Sequence, residues 1–166
     1  MIQGPWLMQG EDLSVPMEIR KKVFVEEQHV DPAHEQDAFD AQAMHVVMWD
    51  VNPKTDEKRP VGTGRIYYGD EGFMMGRICV LPEYRGQRVG DLMTRLMLWK
   101  ASQFAEQITI HAQTAVKGFY ARYGFRQTGE TFMEEGIEHI RMQVKKAEIT
   151  FPSECGEDCA KRMVEK

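Results

Sequence analysis

A chain of 166 residues is the size of one domain with a full core, and its 42% apolar and 28% charged residues are the proportions of a soluble globular protein. A formal net charge of −5 disfavours broad binding to nucleic acid, and no apolar run approaches the length that spans a bilayer. The first 13 residues lack a basic region followed by an apolar segment, so they do not read as a secretory signal and a cytoplasmic location is expected. The cysteines are Cys79, Cys155 and Cys159, an odd number with one inside an apolar strand, which argues against a disulfide framework.

Residues 1–9 read as a short strand at a sheet edge. From Ser14 the pattern predicts a helix, with Pro16 tolerated in its first turn. Ile19, Val23 and Phe24 form its apolar stripe, and Glu18, Arg20, Lys21, Lys22, Glu26 and Glu27 read as mostly solvated. Residues 29–43 are acidic and interrupted by Pro32, so they read as a solvated loop, long enough to be a functional one. Strands are predicted over 44–51, 61–68 and 73–81, joined by the turn-rich 52–60 and the tight return 69–72, and therefore antiparallel.

A helix follows from Val89 to about residue 105, then a short strand over 108–113 that should run parallel to the strand ending at Leu81. A second helix over 116–123 ends at Gly124, and 125–133 with 138–144 form a closing hairpin around Glu134-Glu135-Gly136. The expected organisation is one domain over 1–146 and a polar tail over 147–166. In that tail Cys155 and Cys159 are four apart, which on a helix aligns both thiols, but with no further ligands beside them they read as free thiols and no metal site is expected.

The chemistry concentrates in residues 74–95. A bulky strand is stopped by Pro82, Arg85-Gly86-Gln87-Arg88-Val89-Gly90 forms a tight turn, and an amphipathic helix begins with Val89, Leu92, Met93 and Leu96 on one face. Unpaired N–H groups and the positive end of the helix dipole favour an anion there, Gly86 and Gly90 leave room, and Arg85 and Arg88 add charge. This is a cradle for a phosphate or pyrophosphate; the same strand–turn–helix also serves as plain packing in α/β proteins. It is neither a P-loop nor a dinucleotide fingerprint, because both glycine spacings are absent.

The turn resembles the acyl-CoA pyrophosphate loop of the GNAT N-acetyltransferase superfamily, Gln/Arg-x-x-Gly-x-Gly/Ala, with Arg85 and Gly90 fitting and Arg88 standing at the middle glycine. Phe119-Tyr120-Ala121-Arg122-Tyr123-Gly124-Phe125 resembles that family's Phe-Tyr-x-x-x-Gly-Phe segment. Val23-Phe-Val-Glu-Glu-Gln28, Asp37 with Asp40, Val61-Gly-Thr-Gly-Arg65, Ala112-Gln113 and Glu135-Gly-Ile-Glu-His-Ile-Arg-Met142 are similar to the ElaA/YjcF-like branch. The resemblance implies a mixed α/β sheet, mostly antiparallel, with flanking helices and a splay after the fourth strand. It implies acetyl-CoA as acyl donor, with the main chain of Ile78, Cys79 and Val80 along the pantetheine arm. Arg85, Gly86, Gln87, Arg88, Val89 and Gly90 would hold the pyrophosphate, and Phe119 and Tyr120 would lie against the cofactor. Tyr120 would be the general acid facing the CoA sulfur, and a phenol of ordinary pKa, about 10, can protonate a leaving thiolate.

The implied reaction is N-acetylation of a primary amine, on a small molecule or a peptide, by direct transfer in a ternary complex. A non-catalytic acyl-CoA sensor or interaction module is the alternative, and a binder of phosphate ligands unrelated to CoA is a third reading. The general base stays open among Glu26, Glu27, Glu35, Asp37, His45, His111 and His139. His111 and Gln113 fall on the strand face opposite Ile110 and Ala112, and Glu27 and Glu35 could draw a cationic amine to the long acidic loop. Cys79 should point away from Ile78 and Val80 as a small core residue, and Tyr123 should pack rather than react. Apolar positions in 1–8 or in the final hairpin allow either a monomer or a homodimer.

Overall fold

The structure is a computed structural model and describes residues 1–152; Cys155 and Cys159 lie outside them. Its strands are β1 (Ile2–Gln3), β2 (Trp6–Leu7), β3 (Met44–Val51), β4 (Lys58–Gly69), β5 (Gly72–Val80), β6 (Gln107–Gln113), β7 (Arg126–Glu134) and β8 (Ile137–Lys145). The helices are α1 (Ser14–Arg20), α2 (Pro32–Glu35), α3 (Val89–Ala101) and α4 (Lys117–Ala121). None of the described helices is long and apolar enough to cross a membrane.

One mixed sheet runs in the order β1-β3-β4-β5-β6-β8-β7, with β2 also on β3. The predicted first strand is thus two short pieces, both antiparallel to β3. They are separated by Gly4-Pro5, where the ring of Pro5 offers no N–H to the ladder. The β5–β6 pair is parallel and covers only Met74↔Thr109 and Met75↔Ile110; beyond it the two strands part. The sheet therefore consists of two blades, β1–β5 and β6–β8–β7, that diverge from a narrow apex after the fourth predicted strand, as the family resemblance implies.

Period-two alternation sends side chains to the two faces of the first blade. Val46 and Met48 pack with Met93, Met97, Leu98 and Ala101 of α3 on one face. Val47, Cys79 and Leu81 meet Ile19 and Val23 on the other. Cys79 points opposite Ile78 and Val80, which pack toward the α3 side. Helix α1 continues through Lys21–Glu27 in wider π-turns, closed by Gln28 N on the Val23 carbonyl at 3.1 Å. Helix α3 stops at Ala101, four residues early, because its hydrogen bonds tighten: Gln103 N reaches Lys100 O at 3.1 Å and Phe104 N reaches Ala101 O at 3.0 Å.

The loop over 29–43 and Arg20 depart from their solvated reading. Arg20, Glu35 and Asp40 are buried together with Arg65 of β4. Arg20 Nε bonds Glu35 Oε1 and its Nη1 bonds Asp40 Oδ1, each at 2.6 Å. Arg65 reaches Asp40 Oδ1 at 2.5 Å and Asp37 Oδ2 at 2.6 Å. Arg77 closes the cluster with Nε on the Glu35 carbonyl at 3.1 Å. Paired, hydrogen-bonded charges can leave water where single ones cannot. The loop is consequently nailed to the sheet. Downstream, Ile149 packs on the core and Thr150 Oγ1 donates to the Arg122 carbonyl at 2.8 Å.

Candidate active site

The divergence of β5 and β6 opens a cleft of about 430 Å³. Ile78, Cys79 and Val80 form one wall, Ile110 to Gln113 the other, and Phe24 and Gln28 from the helical segment cover it. The β5 wall is shaped by a bulge: Thr63 pairs with Cys79 and Arg65 with Gly76, so one residue of β5 is extra. Arg77 absorbs it with φ +52°. A strand whose inner edge is abandoned by its neighbour keeps main-chain groups free for an extended ligand.

Tyr120 enters the cleft from α4. Its ring stands edge-on to Phe119 at 5.1 Å and to Phe125 at 6.0 Å. It is 8% exposed, and among the described residues none shares its hydroxyl. Burial, and to a smaller degree neighbouring Cys79, push the phenol well above its ordinary pKa. Burial likewise pushes the Cys79 thiol up to about 12, so it is an inert core group. Tyr123 is fully buried and gives its hydroxyl to Asp91 on α3, as packing demands.

Beside the cleft lies a second hollow of about 500 Å³ at the start of α3, lined by Gly86, Arg88, Val89 and Gly90 with Arg85, Arg95 and Arg122. A Cβ at Gly86 would meet nothing within 4 Å, and one at Gly90 only Val80 Cγ2 at 3.8 Å. Internal packing therefore does not require these glycines; added side chains would project into the hollow. Gly86 has φ +74° and Arg88, at the family's glycine position, takes a left-handed φ of +65° to cap α3.

Two side chains expected at the phosphate face elsewhere. Gln87 Nε2 donates to the Glu83 carbonyl at 2.8 Å. Arg85 folds back, with Nε on the Val80 carbonyl at 2.9 Å and both terminal nitrogens on Glu27 at 2.7 Å. Arg95 and Arg122 were not singled out, although Arg122 lies within the Phe-Tyr-x-x-x-Gly-Phe segment and stacks over Phe119 at 5.1 Å. Strand edge, a phenol whose ring is buried and whose hydroxyl meets the cleft, and cationic hollow together fit an acyl-CoA.

The base candidates separate cleanly. Glu26 pairs with Lys21 at 4.0 Å on the surface, and Glu27 with Arg85. Glu35 is buried on Arg20, Asp37 pairs with Arg65 from the exposed rim of that cluster, and His45 is buried on the Asp40 carbonyl at 3.0 Å, its pKa lowered by burial. His111 and His139 do line the cleft. His111 Nε2 lies 3.1 Å from Glu71 Oε1, and His139 Nδ1 lies 2.8 Å from the Ile137 carbonyl. A carbonyl can only accept, so His139 carries its proton on Nδ1 and Nε2 keeps the lone pair. His139 also lines a side cavity of about 80 Å³, shared with Gln28, Arg77 and Gln113 and bordered by Glu134 and Glu135.

A mixed sheet splayed into two blades over such a cleft is the fold of acyl-CoA N-acyltransferases. The family description "Acetyltransferase (GNAT) domain" matches residues 9–146, and the chain belongs to that family. It is 35% identical over 135 residues to YyaT of Bacillus subtilis, covering 79% of this chain and 87% of that one. It is 32% identical over 134 residues to the uncharacterized N-acetyltransferase YjcF of the same organism, with 80% and 91% covered. The crystal structure of Escherichia coli ElaA superposes with a TM-score of 0.74 at 27% identity, over 86% of this chain and 99% of that one. These similarities put the chain in the ElaA/YjcF-like branch, and acyl-CoA-dependent N-acyl transfer is its reaction class.

Proposed function

We propose that the protein moves an acetyl group from acetyl-CoA to a primary amine, small molecule or peptide, within a ternary complex. The observation that carries this reading is the unshared Tyr120 hydroxyl lining a cleft whose β5 wall keeps a free main-chain edge. The name of YjcF, an N-acetyltransferase, supports the acetyl donor. Acetyl-CoA supplies an already activated thioester, so the chain has to orient, take one proton and give another.

In this reading the main chain of Ile78, Cys79 and Val80 aligns the pantetheine arm, and Phe119 flanks it. Backbone N–H groups of Gly86, Gln87, Arg88, Val89 and Gly90 receive the pyrophosphate, Arg85 N being spent on the Pro82 carbonyl at 3.2 Å, with charge from Arg122 and from Arg88 and Arg95, which also pair with Asp91. His139 Nε2, at the junction of cleft and side cavity, takes the proton of the attacking amine. As the C–N bond forms and the C–S bond breaks, Tyr120 gives its proton to the departing sulfur. One proton leaves the amine and one reaches sulfur, and exchange with water resets both residues. The raised phenol pKa keeps Tyr120 protonated until the sulfur departs.

In the side cavity Arg77 and Glu35 belong to the ion-pair cluster and Glu135 lies on His34 Nδ1 at 2.7 Å, which leaves Glu134 as the carboxylate that favours a cationic acceptor. This replaces Glu27 and Glu35, whose charges are already met by Arg85 and Arg20. The non-catalytic reading draws on one observation: none of the residues lining the main cleft carries a carboxylate. Two measurements decide. Thermal stabilisation by acetyl-CoA, beyond that by ADP, tests the cofactor; thiol release over a set of primary amines tests turnover. Stabilisation without thiol release from any amine would favour the sensor, and no stabilisation would remove both readings.

A further inference from the structure

Only two residue pairs hold β5 to β6, so the free ends of the V would be expected to breathe. In this chain two consecutive residues at the end of the helical segment cross its open mouth. Glu27 accepts both terminal N–H groups of Arg85 at 2.7 Å, and Arg85 in turn grips the Val80 carbonyl at the end of β5 at 2.9 Å. Gln28 joins the other arm, its Oε1 accepting from Gln113 Nε2 at 2.8 Å at the end of β6. Consecutive side chains at the end of a helical segment project in different directions, which lets these neighbours reach diverging walls. The backbone beneath them is held as well: Gln28 N bonds Val23 O at 3.1 Å and Val30 N bonds Phe24 O at 2.9 Å.

We propose that Glu27 and Gln28 form a crosspiece that sets the spread of the two cleft walls, and that they are positioning residues for acyl-CoA. The second part rests on the cofactor reading above. Gln28 lines the cleft, and Glu27 acts through Arg85, which borders both the cleft and the phosphate hollow; because the diphosphate is read as held by main-chain N–H groups with Arg88, Arg95 and Arg122, the crosspiece should govern how well the thioester arm is gripped and not how the diphosphate is held. A half-exposed ion pair and one amide–amide bond add little to global stability. Their loss should therefore show locally, at the wall ends, with little change in melting temperature.

The test compares the full-length protein with Glu27→Gln, Gln28→Ala and the double variant. Hydrogen exchange without ligand should speed up about tenfold at residues 78–81 and 110–113 in the double variant, with 44–51 and 137–145 unchanged. Acetyl-CoA should bind the double variant about tenfold more weakly while ADP binds equally, and Glu27→Asp should stay within about threefold of the parent. Unchanged exchange at the wall ends overturns the crosspiece. Faster exchange with unchanged acetyl-CoA affinity overturns its positioning role. Tighter acetyl-CoA binding also overturns that role, because Glu27 would then be a competitor of the diphosphate for Arg85. If the parent protein binds no acetyl-CoA, the cofactor reading fails by itself, and the exchange comparison still decides whether the crosspiece exists.

Discussion

Tyr120 combines a large buried ring with a hydroxyl that no described residue shares, an arrangement that packing alone does not reward. Replacing it by phenylalanine keeps the ring contacts and removes only the proton. Tyr120→Phe is expected to lower kcat about 10²–10³-fold with KM for acetyl-CoA nearly unchanged, measured by thiol release. His139→Gln should lower kcat/KM by a similar 10²-fold or more, measured by the same thiol release. That Tyr120 is a candidate is legible in the sequence because its segment carries a spaced pattern, and the structure places it in the cleft. His139 stayed one among seven, because its distinguishing feature is a rotamer: the ring turns back on the carbonyl of Ile137 and frees the other nitrogen. Arg88 shows the opposite case, a visible departure with a conformational answer. Its left-handed backbone suits glycine, so Arg88→Gly should stay within about 1 kcal/mol of the parent, whereas Arg88→Val should lose about 1–2 kcal/mol on chemical denaturation.

At the scale of elements, the loop over 29–43 holds the main lesson. Glu35 and Asp40, taken singly, belong in water; pairing across long sequence separations is what buries them, and spacing along the chain does not reveal it. Two hints were present: an arginine ending the small-residue run Val61-Gly-Thr-Gly-Arg65, and the Asp37–Asp40 spacing. Arg65 and these aspartates do meet. Burial alone would raise the pKa of Asp40, but hydrogen bonds and charge from Arg20 and Arg65 outweigh it and hold the pKa at about 2. A carboxyl depressed on folding stabilises the native state above its unfolded pKa near 3.9 and loses that contribution as pH falls toward the folded value. Stability should therefore drop between about pH 4 and 2, and Asp40→Asn should flatten that acid limb in a pH series of chemical denaturation. Arg20→Met, which leaves buried Glu35 to Arg77 at 3.6 Å and Asp40 to Arg65, should cost about 3–5 kcal/mol. Gly124, predicted as the stop of α4, is required twice over: its φ is +92°, and a Cβ would collide with the Glu148 carbonyl folded back over it. Gly124→Ala should be among the most damaging single-methyl additions, read as a lowered melting temperature.

Across the whole molecule, the order of strands and helices and the parallel β5–β6 step were legible, since periodicity and turn residues mark each element. The crosspiece was not, because it depends on where a helix end hangs over a gap that only the assembled sheet creates. Saturating acyl-CoA, at a hundred times its Kd, should add about 2.7 kcal/mol and raise the melting temperature by about 5–10 °C.

The narrow apex also orders events in time. Hairpins link β3, β4 and β5 in succession, and another links β7 to β8, so each blade closes contacts between near neighbours in the chain. Met74↔Thr109 closes only after the whole α3 crossover has been spanned, a late event for a chain that searches near contacts before far ones. The cleft does not exist before that step, so its ligand has nothing to hold in the transition state. Stopped-flow measurements with acetyl-CoA should then shift only the unfolding limb of the chevron, leaving the refolding rate untouched. Supply of the acyl donor would set how long a folded chain lasts, and not how quickly a new one arrives.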